Sequence, residues 1–335
     1  MPATMKSIAR DLGVSVVTVS KVLHNHSDIS PGTRKRVLRR VKEVNYQPNL
    51  AARALSTGRT GLVGLVVPDL VHPFFAQVAK GISARFSSRG YSLIIASSEE
   101  DPQLERREID QMIGRRVDAI ILASVESERY SLQKLKEHEL PFVLLDRRIP
   151  GFAANFVGID DVAAGKMAAD HLVSVGCKTI AHIGGSNVST ALERQEGYLA
   201  SLAKHGLSLS RDYIVKGRGD DDGDRAGYGG MQQLLQLNPR PDGVFCCNDP
   251  IAMGAMRAIV EAGLRIPEDI AILGCGNVHY DDFLRVPLSS IDQNAAGLGE
   301  NAASLALSIV KRKAGAIPKT VLLPARLVVR RSTQR

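Results

Sequence analysis

A chain of 335 residues is longer than one typical hydrophobic core serves, so a small domain joined to a large two-lobed one is the expected division. Residues 1–59 hold 11 Lys and Arg against 3 Asp and Glu, whereas residues 60–335 hold 32 of each, so the net charge of +8 lies in the first sixth of the chain. So concentrated a basic surface points to a polyanionic partner, nucleic acid first, and the lack of any window near the ~18 apolar residues of a membrane span excludes a membrane-embedded protein.

Taken in chain order, Met5, Ile8, Ala9 and Leu12 fall at i, i+3, i+4 and i+7, one apolar face of a short helix that Thr4 caps and Gly13 ends. Ser15 caps a second helix over VVTVSKVL, with Val19, Val22 and Leu23 inward and Val16, Val17, Thr18 and Lys21 outward. Two short helices joined by a tight glycine turn make a helix-turn-helix. A third helix opens at Ser30-Pro31, runs through Val37, Leu38, Val41 and Val44, and breaks at Asn45-Tyr46-Gln47-Pro48. Asn49 caps a further segment, LAARAL, too short to be stable without a partner.

From residue 61 short β-branched runs alternate with helical stretches, the signature of parallel βαβ units. Strands are expected at 62–67, 92–97, 119–123 and 142–145, then at 179–183, 244–247 and 270–273, in two doubly wound lobes with a ligand cleft at the strands' carboxyl ends. The four cysteines, Cys177, Cys246, Cys247 and Cys275, have no metal-ligand spacing and read as small buried apolar residues of a reducing compartment. No metal and no cofactor is expected. The opening MPATMKSIARDLGV lacks the apolar run of a secretory signal, so cytoplasm is the expected location.

The elements GVS..TVS.VL and Y.PN..AR.L, within a run from Met5 to Phe75, resemble the opening of the lactose-repressor (LacI/GalR) family, and the similarity continues in pieces to the C-terminus. The resemblance implies an α/β protein: a helix-turn-helix domain at 1–48, a hinge helix and linker at 49–59, and a two-lobed, periplasmic-binding-protein-like core of doubly wound parallel sheets at 60–335. Lobe 1 would take about 60–160 plus 291–320, and lobe 2 about 161–290 plus 321–335.

It further implies that Ser15 through Leu23 enters the major groove, with Val16, Val17 and Lys21 at base edges: the valines against thymine methyls, the lysine on guanine. Thr18, Ser20 and Thr33 would hold phosphates, and Thr4, Ser15, Asn25, Tyr46, Asn49 and Arg53 join the DNA-contacting set. Leu55 would wedge into the minor groove at a central CG step, with Ala52 packing on the partner hinge. The implied assembly is a homodimer on a pseudo-palindromic operator, acting as a repressor. Its effector pocket would use Phe74, Asp146, Arg194, Asn248, Asp249, Asn277 and Gln293 to bind a small molecule, a sugar or sugar derivative foremost.

Two positions depart from the family pattern. Gly274-Cys275-Gly276-Asn277 has no acid where many relatives carry one, which makes a sugar acid a rival to a neutral sugar, and Asp224 or Arg225 falls near the place of a stacking aromatic. A βα-fold enzyme acting on sugars or nucleotides lacks support, because HIGGS and GCGN match neither a dinucleotide fingerprint nor a phosphate loop. An exported sugar-binding protein would share the lobes but has no use for the basic N-terminus.

Overall fold

The computed structural model describes residues 3–23, 25–47, 54, 58–125, 129–207, 210–216, 223–310 and 317–335. The chain divides into two compact units, Met1–Thr60 and Gly61–Arg335, one residue past the boundary of the basic segment.

The first unit holds helices α1 (Met5–Leu12), α2 (Val16–Leu23) and α3 (Pro31–Glu43). Thr4 Oγ1 accepts Ser7 N–H at 3.1 Å while Ser7 Oγ accepts Thr4 N–H at 2.9 Å, a reciprocal cap that satisfies two of the donors a helix start leaves open. Gly13 ends α1 in the left-handed region (φ 64°), and Ser15 Oγ caps α2 by accepting Thr18 N–H at 3.0 Å. Ile8, Ala9, Val19, Val22 and Val37 form the core, with Leu12, Val41, Val44 and Tyr46 packed on it. Leu38 is exposed: one residue after Val37 it is turned about 100° around the helix, off the buried stripe.

The second unit carries two six-stranded sheets. The first runs β11-β5-β4-β3-β1-β2, all parallel, from β1 (Leu62–Val67), β2 (Ser92–Ser97), β3 (Ala119–Leu122), β4 (Phe142–Leu145), β5 (Asn155–Ile159) and β11 (Thr320–Leu323). Helices α4 (Pro73–Ser87), α5 (Pro102–Gly114), α6 (Tyr130–Glu137) and α11 (Ala295–Val310) accompany it. The second runs β12-β10-β9-β8-β6-β7 from β6 (Ile180–Gly184), β7 (Ile214–Lys216), β8 (Gly243–Cys246), β9 (Ala271–Cys275), β10 (Ser289–Asp292) and β12 (Arg326–Val328), with only the β10–β12 pair antiparallel. Its helices are α7 (Asp161–Ser174), α8 (Ser189–Lys204), α9 (Asp224–Leu234) and α10 (Asp249–Glu261).

The seven expected strands are present; β5, β7, β10, β11 and β12 were not foreseen. Those strands are short, three to five residues such as IVK, RLV and SSID, too brief for a run or alternation to stand out, and neighbouring strands supply what pattern does not. Ser289 and Ser290 of β10 are fully buried because Ser289 Oγ–H reaches Arg330 O at 3.0 Å and Ser290 Oγ–H reaches Asp249 Oδ1 at 2.6 Å. The chain crosses between sheets after Ile159, Asp292 and Leu323, so the second and third crossings fall two to three residues later than expected, β10 belonging wholly to the second sheet and β11 to the first.

Helices α7 and α8 touch backbone to backbone: a Cβ on Gly165 would stand 1.9 Å from Arg194 O, and one on Gly197 1.9 Å from Val162 O. This contact seats Arg194 against the start of α7.

His182 of β6 is buried between the rings of Tyr198 and Phe245, at 5.2 and 5.0 Å. Its Nδ1–H donates to Phe245 O at 2.9 Å, which leaves Nε2 bare and without a partner among the described residues. Burial pushes its pKa down to about 4. A value depressed below the unfolded 6.5 stabilises the fold above pH 6.5, and that stability is lost as pH falls toward 4, by about 3 kcal/mol for a shift of this size. His182→Gln, which keeps a donor for Phe245 O, should therefore flatten the decline in unfolding free energy between pH 7 and 4.5 by about 2 kcal/mol, the part of that loss falling in this window. Denaturant titrations at both values check it, and an unchanged slope would refute the assignment.

Candidate functional site

Two sets of residues converge, one in each unit. In the first, Val16 and Val17 open α2 with 37% and 64% of their surface exposed, while Val19 and Val22 of the same helix are buried. A helix that presents two valines to solvent beside polar Thr18 and Lys21 offers an apolar strip for base methyls. Lys21, expected to be ready for a base edge, is paired with Asp28, and Arg34 Nη1 donates to Asn25 Oδ1 at 2.6 Å. Exposed pairs of this kind are weak and break readily for a phosphate or base. Thr33 is half-buried and takes the Ser30 hydroxyl at 2.9 Å; Thr4 and Ser15 are exposed caps; Ser20 is half-buried; Tyr46 packs on the core. Asp11, Asp28 and Glu43, the segment's three acids, all stand in ion pairs, with Arg40, Lys21 and both Arg39 and Arg40, so the surplus cations define its field. Asn49, Ala52, Arg53 and Leu55 lie outside the described residues.

In the second unit, groups from both lobes meet at the strands' carboxyl ends. Lobe 1 contributes His72 and Phe74 at the start of α4, Glu100 after β2 and Asp146 to Arg148 after β4. Lobe 2 contributes Asp161 at the start of α7, Ser189 and Arg194 of α8, and Cys247 after β8; Gln293 stands at the second crossing. Arg194, 4% exposed, donates through Nε to Asp161 Oδ1 at 2.7 Å and through Nη1 to Cys247 O at 2.8 Å. Burial works against its charge, but the surrounding acids outweigh it and hold the guanidinium protonated. Burial pushes Asp161 up to about 7 against the pull of Arg194. It also raises Asp146, opposed by Arg194 across the cleft and by Arg147.

Asp146 stands in the left-handed region (φ 63°) and accepts Gln293 Nε2–H at 3.3 Å. Arg148 N–H donates to Ser189 Oγ at 2.8 Å, joining the lobes directly. Arg147 grips Glu100 with two bonds of 2.9 and 2.6 Å, and Glu99 and Glu100 take positive φ to present that carboxylate. Phe74 is buried, edge-on to Phe75 at 5.1 Å. His72 Nδ1 accepts Phe74 N–H at 3.3 Å, so its ring proton sits on Nε2, and burial followed by Arg147 and Arg194 lowers its pKa to about 4. It is a neutral donor at pH 7.

Five of the seven expected pocket positions fall at this cleft: Phe74, Asp146, Arg194, Gln293 and Asn248, the last with its Oδ1 already capping α10 through Ile251 N–H at 2.9 Å. Two are engaged elsewhere. Asp249 is fully buried, its carboxylate held by Ser290 and Val278, and Asn277 Oδ1 accepts Arg330 Nη2–H at 2.8 Å while its N–H donates to Ser290 Oγ. Both carboxylate oxygens of Asp249 and the Oδ1 of Asn277 are thus engaged inside lobe 2. Asp224 and Arg225 are exposed at the start of α9. The sequence reading missed His72, Glu100, Arg147 and Asp161. Only Asp161 carried a signal, as an acid at a strand-to-helix junction, and the strand before it was itself unforeseen.

A basic helix-turn-helix unit joined in one chain to a two-lobed α/β unit is the arrangement of a DNA-binding regulator. Residues 4–49 match the family described as bacterial regulatory proteins, lacI family, and residues 169–333 match a periplasmic binding protein-like domain. The chain is 31% identical over 335 residues to the HTH-type transcriptional repressor PurR of Mannheimia succiniciproducens, and 31% identical over 334 residues to that of Pasteurella multocida, covering 99% of both chains in each case. Among solved structures it is similar to a Lac repressor dimer bound to operator and the anti-inducer ONPF (TM-score 0.86, 25% identity, 99% of each chain). It is also similar to a transcriptional regulator CelR–cellobiose complex (TM-score 0.75, 28% identity, 98% of this chain and 99% of that one). The chain belongs to the lacI family of bacterial regulatory proteins. It is a DNA-binding transcriptional repressor of that family rather than an enzyme.

Proposed function

We propose that the protein is a cytoplasmic homodimer that reads a two-fold symmetric operator with α2 and answers to a neutral, hydroxyl-rich small molecule, a sugar foremost, held between the lobes of the second unit. The observation that carries the effector reading is Arg194 of lobe 2 facing Asp146 of lobe 1, because a ligand bonded to both shifts the balance between lobe arrangements. The ligand's charge follows from the cleft. The guanidiniums of Arg147 and Arg194 already hold the carboxylates of Glu100 and Asp161, and that of Arg148 lies over the Phe156 ring. An anionic ligand would have to displace Asp161, whereas a neutral one uses the remaining donors and acceptors of His72, Asp146, Arg194 and Gln293. The cellobiose-bound relative supports the sugar class.

The operator reading rests on exposed Val16 and Val17 in a basic unit, and the dimer on the Lac repressor neighbour. It is supported further by exposed apolar side chains, Leu70, Val71 and Ile95 on lobe 1 and Val260, Tyr280 and Phe283 on lobe 2. The hinge wedge at Leu55 is proposed on the family resemblance.

A thermal-shift panel of neutral sugars, sugar acids, sugar phosphates and purines tests the effector class. A neutral sugar at 100 times its Kd should add about 2.7 kcal/mol of stability, a rise of about 5 °C or more. Stabilisation by sugar acids alone would refute the neutral class. Selection from random DNA should return an inverted repeat, and Leu55→Ala should weaken binding to it at least 10-fold more than binding to random DNA; an asymmetric site would refute the dimeric reading.

A further inference from the structure

Behind the cleft two carboxyl groups are buried together. Asp249 opens α10, and Asp281 lies in the 3-10 turn His279–Asp282; both are fully buried. Asp249 accepts Ser290 Oγ–H on Oδ1 at 2.6 Å and Val278 N–H on Oδ2 at 3.1 Å. Neither carboxyl oxygen of Asp281 has a hydrogen-bond donor among the described residues. An ionised Asp281 would be an unpaired buried charge, a state that groups escape by staying neutral. A neutral Asp281 carries one O–H, and the neighbouring acceptor is the Asp249 carboxylate.

The surroundings favour that state. Burial, then the proximity of Asp249, pushes Asp281 up to about 9. Asp282 acts in the same direction, and Arg330 opposes it while committed to Asp282 Oδ1 at 2.5 Å and Asn277 Oδ1 at 2.8 Å. Burial raises Asp249 as well, but the Ser290 hydroxyl, the Val278 N–H, Asp281 and, least of these, Arg194 all favour its charged form, so the negative charge of the pair rests better on Asp249 than on donor-less Asp281. The same carboxylate explains the GCGN segment. A Cβ at Gly274 would stand 2.2 Å from Asp249 Oδ1, and one at Gly276, where φ is +141°, 2.8 Å from Oδ2. The missing acid of residue 276 leaves the space that Asp249 fills.

We propose that Asp249 and Asp281 share one proton, and that this O–H···O link fastens the turn 279–282 to the cleft-side end of α10, making the turn's exposed aromatic surface proton-dependent. Tyr280 and Phe283 are 58% and 73% exposed, grouped around the His279 ring at 5.5 and 5.2 Å. The other end of the link is the helix that Asn248 caps in the cleft. Loss of the proton sets two charged carboxylates against each other and releases the turn. The partner on that surface is a second copy of the chain, which rests on the homodimer reading; the proton pair does not.

Full-length wild type and Asp281→Asn are compared in thermal melts and sedimentation between pH 4 and 10. The variant keeps the shape and offers Asp249 an amide donor that cannot ionise. Because the folded value is raised, the contribution of Asp281 is fully present below the unfolded carboxylate range and is lost as pH rises through about 9. Wild type and variant should therefore melt together near pH 4, and wild type should fall progressively behind up to pH 9. The wild-type dimer dissociation constant should rise at least 10-fold between pH 7.5 and 10, while that of the variant stays constant. In an otherwise wild-type chain, Ser290→Ala removes a donor from Asp249 and should move the midpoint to higher pH, which keeps the test alive if Asp281→Asn folds poorly. Parallel melting profiles, or an unmoved midpoint, overturn the shared proton. A chain that is monomeric at every pH overturns the homodimer reading and the proton-dependent interface, while the melts still judge the pair.

Discussion

Arg194→Met is expected to abolish the effector response and to destabilise the second unit by about 3–5 kcal/mol, because Asp161 at 2% exposure must then stay charged without its cation or take up a proton, and Cys247 O loses its donor. The guanidinium holds Asp161 at 2.7 Å and Cys247 O at 2.8 Å, so its loss removes both a ligand contact and a fixture of lobe 2. A second substitution separates the two effects. In Arg194→Met/Asp161→Asn the stranded charge is gone, so most of the unfolding free energy should return. The response to ligand should not, since no cation of lobe 2 then faces Asp146 across the cleft. Operator affinity of the double variant without ligand should stay within a few-fold of wild type. Urea titrations and operator binding with and without the effector read these outcomes. A single variant as stable as wild type would refute the buried pair, and a fully responsive double variant would refute the contact with ligand.

Removal of residues 1–60 should leave a folded, ligand-competent fragment with no measurable operator affinity, a loss of about 10³-fold or more. The division of the chain at Thr60 and the placement of the net charge in residues 1–59 both predict it. The full-length chain should lose affinity steeply with salt, by about 10³-fold or more between 50 and 200 mM if six or more phosphates are neutralised across a dimer. Fluorescence anisotropy on both proteins over that range measures the effect. Operator binding by residues 61–335 comparable to that of the full chain would place the DNA surface elsewhere.

How much was legible in the sequence depended on whether the signal was local. The caps at Thr4, Ser15 and Ser30, the turn at Gly13 and the inward Val19 and Val22 were readable because a helix start, a left-handed turn and a helical face each involve residues within four positions. The charge boundary near 59 and the apolar strands β1 to β4 were readable from composition and runs. The motifs led to the family and, through it, to Arg194, Asp146, Phe74 and Gln293. Tertiary structure alone decided the rest, because those features are made by residues distant along the chain. It made β10 a strand although its sequence is SSID, through bonds to Arg330 and Asp249. It paired Arg194 with Asp161 and Arg147 with Glu100, so that two of the cleft's guanidiniums already hold carboxylates. It also engaged Asp249 and Asn277 inside lobe 2, since a buried polar group is satisfied by whichever donor the fold brings within about 3 Å, and sequence spacing does not record that distance.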